Sequence, residues 1–141
     1  MMRTLFSVFI GYAVLAAATM AMTFGLMACF PEYRDAGLNQ RPVGGLPVFI
    51  NLMLGLPGAA LGGMAAAKIA KPPKLRAAVI LAGAVLALGL GYAVFQVSDT
   101  PTGQPTLQPL WYLWSLPVVG SLGVLFGGWL CVRPAPRSVA R

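Results

Sequence analysis

The stretch PVFINLMLGLPGAALGGMAAAKIA, Pro47 to Ala70, decides how this chain folds. Its single charge, Lys68, stands near its end. A helix needs about 20 mainly apolar residues to cross the hydrocarbon core of a bilayer, and this stretch meets that length. Working outward, the same pattern recurs from Leu5 to Phe30, from Leu75 to Val97 and from Leu110 to Val132. Prolines punctuate the intervals: Pro31, Pro72-Pro73, Pro101 and Pro134. Proline cannot continue a helix and turns the residue before it away from helical geometry. The expected architecture is all-α: a single transmembrane four-helix bundle over residues 1–141, with a short basic tail over 133–141.

Composition points the same way. Of 141 residues, 58% are hydrophobic and 9% charged, with a mean hydropathy of +0.79. Soluble domains carry about a quarter charged residues, and disordered chains combine low hydrophobicity with high charge. Both classes are excluded. The lysine and arginine positions then orient the bundle. Arg3, Lys68, Lys71, Lys74, Arg76, Arg133, Arg137 and Arg141 fall on one side, against Arg34 and Arg41 on the other. Positive residues collect on the cytoplasmic side, so both termini are expected in the cytoplasm. The net charge of +7 is read as this topology signal and as contact with anionic lipid head groups, not as a nucleic-acid site. The aromatics Trp111, Tyr112 and Trp114 are expected at the opposite interface, as a belt.

Two features of the first span bear on processing. Arg3 followed by an apolar run and Ala16-Ala17-Ala18 resembles a secretory signal, and Leu26-Met27-Ala28-Cys29 resembles a bacterial lipobox. The apolar run exceeds a signal core of about 7 to 15 residues, so the helix is expected to stay. The lipobox-like run suggests a bacterial inner membrane. Cys29 and Cys131 then lie on opposite sides of the bilayer and cannot pair.

The chemistry available is narrow. There is no histidine, and the acidic residues are Glu32, Asp35 and Asp99, none inside a span. Imidazole-based haem, zinc and triad sites are excluded. Proton relays in membranes run on Asp, Glu or His. Met20, Met22, Met27 and Cys29 are soft ligands of the kind that hold Cu(I), but their spacing spreads them around the helix, and methionine is also a core filler. No enzyme activity and no cofactor are expected.

Small residues hold spanning helices together, because lipid is as apolar as leucine and close backbone approach must drive association. They recur here every four positions: Ala13, Ala17, Ala21 and Gly25; Gly58, Gly62 and Ala66; Gly55, Ala59, Gly63 and Ala67; Gly83, Ala87 and Gly91; Gly123 and Gly127. Two such faces on the second helix predict two neighbours for it. The short Lys71–Lys74 connection predicts that the second and third helices are antiparallel neighbours.

Three further features complete the reading. Loop one holds the mixed-charge cluster Glu32, Tyr33, Arg34, Asp35 and Arg41, the natural place for recognition. Asn51 with Pro57, which frees the Met53 carbonyl, forms a candidate polar break in the membrane. Gly11-Tyr12-Ala13-Val14 recurs as Gly91-Tyr92-Ala93-Val94, a faint internal echo. Together these imply a non-enzymatic accessory subunit, scaffold or assembly partner, bound to another integral membrane protein or to itself. The alternative is a small oligomeric transporter, channel or holin-like pore with a path past Asn51, Thr19, Thr23, Tyr92 or Gln96.

Overall fold

A computed structural model of the chain describes residues 2–31, 34–35, 45–70, 74–99 and 108–132, with the side chains of Arg3 and Lys74 outside that description. Among the described residues, four long helices follow one another: α1 (Met2–Cys29), α2 (Gly45–Ile69), α3 (Lys74–Asp99) and α4 (Leu110–Leu130). All four are long and apolar enough to cross a membrane. The chain is a small, multi-spanning helical membrane protein.

The helix ends differ from the expected spans by up to three residues, for local reasons. α2 starts two residues before Pro47, because proline is tolerated in a first turn, where its missing N–H has no helical partner. α3 runs on to Asp99 and stops where Pro101 disfavours helix at position 100. α4 ends in a turn at Cys131 and Val132, whose N–H donates to the Trp129 carbonyl at 3.0 Å. The Lys71–Pro73 connection, residues 100–107 and the basic tail lie outside the described residues.

Contacts give the directions. Gly62 of α2 lies against Gly11 and Leu15, and Gly58 against Ala18 and Thr19, so α1 and α2 run antiparallel. Gly123 lies against Ala59 and Leu56, and the Cys131 thiol reaches the Met64 carbonyl at 3.7 Å, so α2 and α4 share a direction. Gly89 meets Pro117 and Gly128 meets Ala78, so α3 runs against α4. One end of the bundle therefore carries the start of α1 and the finish of α4, near Lys68. The other end carries Cys29. Both cysteines are free thiols.

The two small-residue faces of α2 divide between two helices. Gly58, Gly62 and Ala66 meet α1, while Ala59 and Gly63 meet α4. Both good faces of α2 are thereby occupied, and α3 packs chiefly on α4, with lesser contact to α2. The expected α2–α3 pairing is thus present but secondary. Ser121, buried on α4, fastens α3 by donating to the Ala82 carbonyl at 3.2 Å as well as to the Pro117 carbonyl at 2.6 Å.

The core splits in two. Near Lys68, Ala66, Ala70, Ala77, Leu81, Ala82 and Val124 bring α2, α3 and α4 together, with Leu15 of α1 packed against them. Near Cys29, the buried cluster is Leu26, Val48, Leu52 and Tyr112, from α1, α2 and α4 alone. α3 contributes no residue to the second cluster, but its Val85 and Gly89 close one wall of the cavity described next. The sequence echo has no structural counterpart: Gly11 is packed against Ala66 and Leu81, whereas Gly91 faces open space.

Candidate functional site

Asn51 is the polar centre of the Cys29 half. Its Nδ2 donates to the Tyr112 hydroxyl at 2.8 Å, joining α2 to α4. The Thr23 hydroxyl donates to Asn51 Oδ1 at 3.5 Å, joining α1 to α2. One amide thus links three helices, as expected where hydrogen bonds must form away from water. One turn before Thr23, Thr19 donates to the Leu15 carbonyl at 2.5 Å and to that of Ala16 at 3.2 Å, the back-bonding typical of a helix threonine.

These side chains line a cavity of about 330 Å³. Its polar wall is Thr19, Thr23, Asn51 and Tyr112, and the rest is apolar, including Leu116 and Pro117. Gly55 gives it room: a Cβ placed there would meet nothing within 4 Å. None of the lining side chains carries a charge. Among the described residues, no group of three or more His, Cys, Asp or Glu could hold a metal ion.

The expected polar break is only half in this site. Asn51 lines the cavity, but Pro57 is exposed on the far side of α2, and so is Met53, whose carbonyl it frees. The proline at the cavity is Pro117 of α4. Of the path residues, Thr19, Thr23 and Asn51 converge. Tyr92 and Gln96 do not: they bond each other at 2.6 Å on the outside of α3.

Tyr112 is the residue that a simple aromatic belt misplaces. It is 3% exposed, whereas Trp111 and Trp114 are 47% and 45% exposed. Stepping back along α4 from Gly127 and Gly123 at the helical period of about 3.6 residues reaches Val119, Leu116 and Tyr112 on the packed side, whereas steps of four end on the exposed Trp111; the helical period is the signal that places Tyr112.

The expected packing residues sort into two sets, apart from Gly55, which lines the cavity instead of a helix contact. Gly58, Gly62, Gly63, Gly123 and Gly127 are buried between helices of this chain. Ala17, Ala21, Gly25, Gly83 and Gly91 are exposed, and a Cβ at any of these three glycines would meet nothing within 4 Å. In loop one, Arg34 and Asp35 form an exposed ion pair at 3.4 Å, a geometry that contributes little to stability. Glu32, Tyr33 and Arg41 lie outside the described residues.

No protein-family model matches this chain, and no curated protein or solved structure matches it.

Proposed function

We propose that this protein is a non-enzymatic accessory subunit, scaffold or assembly partner of a larger complex in a bacterial inner membrane, with both termini in the cytoplasm. One observation carries the reading. The stripes Ala13–Ala17–Ala21–Gly25 on α1 and Gly83–Ala87–Gly91 on α3 face outward and bury nothing in this chain. Small residues at four-residue spacing are what spanning helices use for close contact. Here two such stripes stay uncovered after the fold is complete.

Native mass spectrometry of the protein, extracted from its own membrane in mild detergent, tests this. A stoichiometric integral-membrane companion is the expected result. A lone chain under conditions that preserve other complexes overturns it.

The Thr23–Asn51–Tyr112 chain and its cavity favour a second reading, a small oligomeric transporter, channel or holin-like pore. Flux of ions or small solutes into liposomes containing the pure protein would establish that reading in place of the first.

A further inference from the structure

The cavity has a chemistry of its own, independent of what the outer faces bind. Its wall carries no charge, so a charged head group inside it would be desolvated without a counter-ion. Its occupant is neutral. On the α1 wall, the direction of the hydrogen bonds favours one kind of partner. Thr19 spends its proton on the Leu15 and Ala16 carbonyls, and Thr23 spends its proton on Asn51 Oδ1. A hydroxyl that donates still has lone pairs with which to accept. These two oxygens therefore offer acceptors to the cavity, and a matching ligand brings a donor.

The way in is from the side. α1 and α3 meet where Gly11 faces Leu81, and they pack on each other less than α2 packs on any of its neighbours. Leu15, Thr19 and Thr23 also border a shallow groove along α1 that passes Tyr12, Met20 and Phe24. The cavity thus continues onto a face of α1 that lies in the hydrocarbon. Its volume of about 330 Å³ is at the lower end of the range for small-molecule sites. That suits the head of a lipid better than the whole of one.

We propose that this cavity binds a neutral lipid alcohol taken from the bilayer. Its hydroxyl donates to Thr19 or Thr23, and its chain lies along Met20 and Phe24. The test uses the full chain in nanodiscs and a diazirine-bearing hexadecanol, with the sites of photolabelling mapped by mass spectrometry. Labelling is expected on the cavity walls, which all four helices contribute. Hexadecanol should compete, while hexadecyl methyl ether, which lacks the donor, and hexadecanoate, which is charged, should not. Gly55→Phe, whose Cβ would meet nothing within 4 Å, sends a ring into the cavity and should abolish the labelling; Gly83→Phe, on the outside, should leave it intact. Thr19→Val with Thr23→Val should weaken competition by hexadecanol about fivefold or more, as loss of a hydrogen bond does. Circular dichroism of each variant keeps misfolding apart from lost binding, and the threonine pair decides the matter if Gly55→Phe does not fold. Equal competition by the ether, or labelling unchanged in Gly55→Phe, would mean ordinary boundary lipid or a cavity filled by water, and either overturns the proposal.

Discussion

The side-chain amide of Asn51 donates to the hydroxyl of Tyr112 at 2.8 Å across the α2–α4 contact. Both residues line the cavity in the Cys29 half of the bundle. Close packing of small residues holds the Lys68 half, whereas this polar link replaces it in the Cys29 half. Tyr112→Phe removes the link with little change of shape. Interhelical hydrogen bonds in membranes average about 0.6 kcal/mol and reach about 1.7 kcal/mol. We expect Tyr112→Phe to destabilise within that range. A double-mutant cycle with Asn51→Leu, followed by SDS-induced unfolding, should show coupling of similar size. Strict additivity would mean that the link contributes nothing.

Gly63 and Gly127 tie α2 to α4 by direct backbone approach. A Cβ on Gly63 would overlap the Val124 carbonyl, and one on Gly127 would overlap that of Ala60. Backbone cannot rotate aside as a side chain can, so the helices must separate. Overpacking of this kind costs about 1–3 kcal/mol. Gly63→Ala and Gly127→Ala should each destabilise by that amount in the same unfolding assay. Gly83→Ala, in open space, should be neutral or stabilising by up to about 1 kcal/mol through helix propensity. The same result for all three would show that α2 and α4 are not in contact.

Gly83 and Gly127 also show where sequence reasoning reaches its limit. Each belongs to a small-residue stripe of the same spacing, yet one faces outward and the other is buried. In a soluble protein, polarity would separate the two faces. In a membrane both sides are apolar, so the pattern marks a contact face without saying whose. The spans themselves were legible, because hydrocarbon demands a minimum apolar length and proline marks the ends. The two partners of α2 were legible as well, from adjacent Gly62 and Gly63 on two different faces. The neighbour of α3 was not, because a short connection brings two helices close without deciding which faces meet. Half of the candidate site was legible in Asn51, a lone amide in an apolar run. Tyr112 was not, because Trp111 and Trp114 beside it suit an interface equally well, and a spacing of four carried back from Gly123 ends on Trp111, so that only the finer helical period sets Tyr112 on the packed side.

The outward stripes make the assembly reading testable at residue level. Gly83→Leu with Gly91→Leu adds bulk where nothing in this chain stands within 4 Å of the new Cβ. Folding and stability should be unchanged, while recovery of the native companion should fall about tenfold or more, since a few lost packing contacts amount to over 1.4 kcal/mol. Gly62→Leu is the contrasting variant. Its Cβ would lie 2.7 Å from Leu15 Cβ and 2.8 Å from the Gly11 carbonyl oxygen, so it should unfold the protein before it affects a partner. Full recovery of the companion with the α3 pair would remove that face from the interface.

The two cysteines report the orientation. Cys29 is exposed at the end of α1, and Cys131 is part-buried just beyond α4, at the opposite end of the bundle. With eight Lys or Arg residues expected at the Cys131 end against two at the other, the proposed orientation, with Cys131 in the cytoplasm, follows the positive-inside rule. A membrane-impermeant maleimide should then label Cys29 in intact spheroplasts and Cys131 in inverted vesicles, with single-cysteine variants distinguishing the sites. Labelling of Cys131 should be the slower, because its thiol packs on the Met64 carbonyl. The reverse pattern would invert the bundle and place the basic end outside. Blocked Cys29, with a mass increase of a lipid and loss of the residues before it, would instead mean that α1 is removed and three spans remain.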